Sequence, residues 1–241
     1  SRLELNDSGR RQRGAEGHCG AQRRQRAQSD FNTASRAHSA LGAMLFSRPM
    51  YGIESILYGV GLAGVAAQAA AGVLDAGRKP FDLFGIVVVA LAASLGGGSL
   101  RDLLLDRSVF WIADQSYLIG AMAAGLATFA LVRYVRLPAR LFLLPDAIGL
   151  ALFTVSGTQA ALAMDAPWLV ASLMGVITGV FGGIVRDVLC NEVPLVFNGE
   201  FYATASWLGA LLLLGLMAYG ISPGWAALAG GFYAAGYTPW Q

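Results

Sequence analysis

The chain has 241 residues, of which 56% are hydrophobic and only 13% charged, with 31 Gly and a mean hydropathy of +0.55. An ordinary soluble domain carries about 25% charged residues, so the composition argues against a soluble enzyme, a disordered chain or a disulfide scaffold and points to a polytopic membrane protein. The net charge of +2 is unevenly placed: residues 1–49 hold nine Arg against four acids, and residues 50–241 hold eight Lys/Arg against eleven acids.

In chain order, residues 1–49 come first. They are rich in Arg, Gln, Ser, Ala and Gly and have no periodic apolar face, so they cannot bury enough to order themselves. They are expected to be a disordered or non-native leader. A basic arm for anionic lipid or nucleic acid is the weaker alternative, because Met44 and Met50 lie just before the first apolar run. No nucleic-acid partner is expected. Cys19 and Cys190 sit in unrelated contexts and imply neither a disulfide framework nor a metal site.

Seven apolar segments follow, at residues 53–74, 83–100, 117–132, 142–164, 168–185, 202–219 and 225–237. Most reach the ~17–25 residues a spanning helix needs. The runs are continuous and dense in Ala, Leu and Gly, which disfavours alternating barrel strands. Between them, one side of the membrane receives Arg78, Lys79, Arg133, Arg136 and Arg140, while the other receives Arg107. The positive-inside bias makes the first side cytoplasmic, with the N-terminus outside and, after seven spans, the C-terminus inside.

A motif occurs twice. Gly97-Gly98-Ser99-Leu100-Arg101-Asp102-Leu103-Leu104 ends the second segment and Gly182-Gly183-Ile184-Val185-Arg186-Asp187-Val188-Leu189 the fifth, 85 residues apart. Three spans separate the copies, so the second copy enters the membrane from the opposite side. This is an inverted repeat of 50–134 and 135–220, with 221–241 left over as a seventh helix. Each Arg-Asp pair is costly in or near lipid and marks an interior position or a permeation path. Neighbouring residues on a helix diverge by about 100°, so Arg and Asp need not pair with each other; each has the opposite repeat or a freed carbonyl as a partner, and an interfacial anchor with Arg snorkelling to headgroups is the alternative. Residues 83–111 are too long for one straight span, about 43 Å against a ~30 Å core. A break at Gly96, Gly97 and Gly98, matched by Gly182 and Gly183, is the expected solution, with close helix contact as the alternative. Asp146, after Pro145, reads as an interfacial N-cap. Thr154, Ser156, Thr158, Gln159 and Thr178 are mid-span polar residues that either glue helices or line a pore. Phosphate-cradling, zinc-protease and nucleophile-elbow motifs are absent, and the two His (His18, His38) lie in the leader. No enzyme activity and no cofactor are expected.

The two blocks, the second continuing as Asn191-Glu192-Val193-Pro194-Leu195-Val196, resemble the prokaryotic trimeric intracellular cation (TRIC) channel family, also described as glycine-transporter-like. Residues 76–85 and 109–112 fit as well. The resemblance implies an all-α membrane protein of seven helices as three plus three inverted plus one, helices two and five kinked at these glycines, and a homotrimer in the bacterial inner membrane with a pore in each subunit. On it, Gly96–Gly98, Gly182 and Gly183 carry over as pore hinges, with Arg101, Asp102, Arg186 and Asp187 around them. Asp146, Thr154, Ser156 and Thr178 are candidate pore-lining residues. The expected function is passage of a monovalent cation, potassium foremost. A carrier of glycine or another small amino acid is the rival.

Overall fold

A computed structural model describes residues 53–134, 139–198 and 202–237, and all regular structure among them is helical. The long helices are α1 (Ile53–Ala76), α2 (Leu83–Leu104), α4 (Gln115–Tyr134), α5 (Leu143–Leu162), α6 (Trp168–Leu189), α8 (Tyr202–Ala218) and α9 (Pro223–Tyr237). Two four-residue helices, α3 (Phe110–Ala113) and α7 (Leu195–Asn198), follow α2 and α6, and a short 3-10 turn, Ala139–Phe142, leads into α5. The leader expected over 1–49, Arg136 of the basic loop and the terminal Trp240 and Gln241 lie outside the described residues.

Four helices are long and apolar enough to cross a bilayer: α1, α2, α4 and α6. At 1.5 Å per residue, the 22 residues of α2 measure about 33 Å, close to the hydrocarbon thickness. The apolar helix α8 is shorter, at 17 residues. The middle of the bundle is α5, which touches α1, α6, α8 and α9 and buries more than half of its length. By contrast, only 11% of the apolar stretch of α4 is covered, so this helix lies at the periphery. Backbone-to-backbone contact between Gly209 and Gly230 fastens α9 onto α8.

Several helix–helix contacts obey an 85-residue offset. A Cβ on Gly97 would be driven into the carbonyl oxygen of Thr178, and one on Gly182 into the carbonyl oxygen of Ala93. Adding 85 to 97 and 93 gives 182 and 178, so the two contacts are one contact seen from each copy. Likewise, a Cβ on Gly64 would come 2.9 Å from the Phe153 ring, and one on Gly149 would come 2.6 Å from Gln68 Cγ. In both sets, partner numbers rise on one helix as they fall on the other. Thus α2 and α6 run antiparallel where they cross, as do α1 and α5. This self-complementary pattern is that of a two-fold axis between two copies of one unit, and the second copy is inverted with respect to the first.

Neither helix is interrupted at the glycines, so the departure from one straight span is not a full break there. Both α2 and α6 continue through them, to Leu104 and Leu189. The reason is packing: glycines 97 and 182 are where two backbones meet, and a regular helix with no Cβ is what such a crossing requires. The excess length of 83–111 is instead absorbed after Leu104, where the chain turns and restarts in α3.

Candidate functional site

The end of each repeated motif is built the same way. Helix α2 stops with Arg107 N–H bonded to the Asp102 carbonyl (2.8 Å) and Asp106 N–H to Leu103 (3.3 Å). Helix α6 stops with Glu192 N–H on Asp187 (2.8 Å) and Asn191 N–H on Val188 (3.0 Å). This is the Schellman arrangement, which needs a left-handed residue just past the helix. Asp106 (φ 52°) and Asn191 (φ 53°) take that place, and Asp and Asn are the non-glycine residues that tolerate it best.

The motif's Asp then fastens the turn. Asp102 Oδ2 accepts the N–H of Phe110 (2.9 Å), and Asp187 Oδ2 accepts the N–H of Leu195 (2.8 Å), each at the start of the following short helix. The other oxygen binds the motif's own Arg: Arg101 Nε donates to Asp102 Oδ1 and Arg186 Nε to Asp187 Oδ1, both at 2.8 Å. Neighbouring Arg and Asp, which helix geometry does not require to pair, do pair here. The long Arg side chain folds back across the 100° between them because the Asp is held in place by the turn.

Each Arg also reaches the other copy, and here the symmetry fails. Arg101 lies 3.3 Å from Ser156 Oγ and stacks over the Phe110 ring at 5.6 Å, with a single carboxylate partner. Arg186 is fully buried and forms ion pairs with Asp187, Asp146 and Asp75, the last at 3.5 Å. Asp146 also accepts a hydrogen bond from the Tyr202 hydroxyl (2.7 Å), and Asp75 is bound from its other side by Arg78. The guanidinium groups of Arg78 and Arg186 both stack on Phe142, at 4.7 and 5.1 Å. By the 85-residue offset, Asp146 corresponds to Gly61 and Asp75 to Ala160. The Arg186 end thus holds three carboxylates against two guanidiniums, and the Arg101 end one against one.

Asp146 is not the interfacial N-cap expected from Pro145: it is 1% exposed, and its carboxylate serves Arg186 and Tyr202. Thr154 donates to the Leu150 carbonyl (2.7 Å) and shares a 2.6 Å hydrogen bond with Ser206, which joins α5 to α8. Thr158 and Thr178 bond back to carbonyls one turn earlier in their own helices. Gln159 is buried on α5. Of the mid-span polar set, only Ser156 touches a motif charge. The glycines also differ among themselves. Gly98 faces the Phe110 ring, Gly183 faces Tyr202 and Asp146, and Gly96 meets side chains only at 3.9 Å.

Asp75, Tyr202 and Gln68 are not site candidates from sequence, and Arg78 enters there only as a basic loop residue. Tyr202 corresponds to Tyr117 under the offset and Asp75 ends its apolar segment at the same level as the second motif, so a full comparison of the two copies contained the signal. Outside the spans, Lys79 Nζ lies 2.6 Å from Glu192 Oε1, tying the loop after α1 to the turn after α6. That hydrogen bond raises the Lys79 ammonium above its ordinary value and lowers the Glu192 carboxyl below its own. Among the described residues no cluster of His, Cys, Asp and Glu is arranged to hold a metal ion.

The buried charge, the antiparallel two-copy bundle and the apolar lengths define a polytopic integral membrane protein built from an internal duplication. The family described as "Glycine transporter" matches this chain twice, at residues 59–133 and 143–218, once for each copy. The chain belongs to that family, which is the TRIC channel family. It is 44% identical to a UPF0126 membrane protein of Vibrio cholerae over 183 residues, covering 74% of this chain and 75% of that one. Identity to the UPF0126 inner membrane protein YadS of Escherichia coli K12 is 42% over 159 residues, covering 65% and 77%. Among solved structures, the TRIC trimeric intracellular cation channel orthologue from Rhodobacter sphaeroides superposes with a TM-score of 0.71 at 35% identity, over 75% of this chain and 93% of that one. A prokaryotic TRIC channel crystallised in 0.5 M KCl superposes at 0.70 with 27% identity, over 77% and 95%.

Proposed function

We propose that this protein is a monovalent cation channel of the inner membrane, passing potassium foremost, and that it works as a homotrimer with a pathway through each subunit. Seven helices cross the bilayer in this reading, with the N-terminus outside and the Arg186 end cytoplasmic. The pathway runs between α1, α2, α5 and α6, from the Asp75–Asp146–Arg186 cluster to the Arg101–Ser156 level. The observation that carries the reading is the charge at the Arg186 end. An isolated buried guanidinium would repel a cation, but three carboxylates outweigh Arg186 and Arg78 there and leave a surplus of one negative charge. The similarity to solved TRIC channels supports the same reading.

The glycines enter as packing positions rather than hinges, so conduction in this proposal depends on how α2 and α6 sit against α1 and α5, not on bending within α2. The exposed apolar face of α4 is available to lipid and to neighbouring subunits. Planar-bilayer recording of purified protein under a potassium gradient is the test. Single-channel steps and a reversal potential that follows the gradient are expected. Saturable glycine uptake without such steps would replace the reading with that of a carrier.

A further inference from the structure

Gln68 lies on α1, is fully buried, and has no hydrogen-bond partner for either its Nε2 or its Oε1. A buried amide left unpaired costs on the order of 1–3 kcal/mol, and native structures rarely keep one without a use. Its position is specific. The reciprocal contacts of Gly64 with Phe153 and of Gly149 with Gln68 straddle the two-fold axis, which places Gln68 within about 3 Å of the level where the two copies meet. Moreover, Gln68 and Asp75 are seven residues apart and share one face of α1, so the amide lies below the acidic cluster.

The offset pairs Gln68 with Phe153. On the Arg101 side of the axis, Phe153 packs with the buried apolar side chains of Val65, Leu95 and Ala121, with Trp111 and Tyr117 at the margin. A cation entering from the Arg186 end therefore meets one uncommitted oxygen at mid-membrane, followed by apolar side chains. Resting on the channel reading above, we infer that Gln68 is the specificity-determining residue of the pathway. Its Oε1 replaces part of the hydration shell of a permeating monovalent cation at the level farthest from water, and Phe153 is the dry barrier beside it. An amide oxygen is a weak-field ligand, which favours the larger, more readily dehydrated potassium over sodium.

Single-channel recording of wild type, Gln68→Leu and Gln68→Glu under biionic potassium/sodium conditions tests this. Gln68→Leu removes the ligand at nearly constant volume. Potassium conductance should fall about tenfold, the size of one charge-assisted contact, and the potassium/sodium permeability ratio should move toward one. The same variant should unfold at a higher temperature than wild type, because an unpaired buried amide is gone. Gln68→Glu keeps the shape but raises the field strength, and should shift the ratio toward sodium. Wild-type conductance and permeability ratio in both variants would overturn the inference while leaving the channel reading intact. Absence of potassium current from wild type in the same bilayers would overturn the channel reading itself, and this inference with it.

Discussion

The packing role of the repeated glycines is open to a sharp comparison between neighbours. Gly96 and Gly97 are adjacent on α2 and equal in helix propensity, so a hinge formed by the cluster would respond to both. The structure separates them. A methyl group at position 97 would collide with the Thr178 carbonyl, a backbone atom that cannot rotate away, whereas one at position 96 would meet only the Phe181 and Val185 side chains at 3.9 Å, ordinary contact. Gly97→Ala must push α2 and α6 apart, and overpacking of this kind costs about 1–3 kcal/mol. Gly96→Ala should instead gain up to about 1 kcal/mol from propensity. The propensity gain is common to both substitutions, so the position-97 variant should be less stable than the position-96 variant by roughly 1–3 kcal/mol. Gly182→Ala, pressed against the Ala93 carbonyl, should behave as Gly97→Ala does. Tryptophan fluorescence followed through thermal or denaturant unfolding in mild detergent measures this. Equal stability of the position-96 and position-97 variants would refute the packing argument and return the cluster to a hinge.

Removing Arg186 should cost more than removing Arg101. Arg186→Met leaves three buried carboxylates with Arg78 as the one cation among them, beside the Tyr202 hydroxyl and the Leu195 N–H, and should lose about 3–5 kcal/mol of stability by the same unfolding assay, whereas Arg101→Met uncovers only Asp102, which keeps its bond from Phe110 N–H. Cross-linking in mild detergent should trap trimers, and a monomer as the sole species would count against the assembly. The Lys79–Glu192 bridge has a defined pH response. The Glu192 carboxyl is depressed, so its contribution is present above the ordinary glutamate value of 4.5 and is lost as pH falls through the lower folded value. Lys79 is raised, so its contribution is present below 10.5 and is lost only at still higher pH. Tryptic cleavage after Arg78 should thus be constant across neutral pH in wild type, and Glu192→Gln should remove any change that appears on brief exposure to acid.

The helix positions and the duplication were legible because each rests on a local signal: apolar run length for the spans, and an eight-residue match for the repeat. The segment at 83–111 shows where that reading stops. Its length requires a departure from one straight span, but sequence locates glycines, not backbone contacts, and Gly at a crossing looks the same as Gly at a break. The decisive fact is a carbonyl on another helix 81 residues away. Asp146 fails for the same reason. Pro145-Asp146 near a helix start is a capping pattern, and only the tertiary structure brings Arg186 and Tyr202 onto its carboxylate. Gln68 was passed over because a lone amide among Ala, Gly and Val is weak by itself. Its meaning comes from two facts sequence does not carry: it is unpaired, and it sits beside the axis.

The 85-residue offset divides the site into what the duplication preserves and what it does not. Preserved are the parts that any folded copy needs: the glycine that lets α2 and α6 cross, the left-handed residue that ends the helix, the Asp that fastens the next turn and the Arg that the Asp orients. Each performs the same contact in both copies at nearly the same distance. Among the altered pairs are Gly61 with Asp146, Ala160 with Asp75 and Phe153 with Gln68, and also Ala71 with Ser156, whose hydroxyl meets Arg101. In the first two the carboxylate serves the Arg186 end, and in the third the polar side chain lies on that side of the axis. The two carboxylates without a counterpart thus gather at one end, whereas the hydroxyl of Ser156 serves the other. A pathway with unlike ends can use such a difference, since a cation gains from negative charge where it enters and from an oxygen ligand where it is driest. On the proposed channel reading, the carboxylates gathered at the Arg186 end are the departures from symmetry that give the pathway unlike ends.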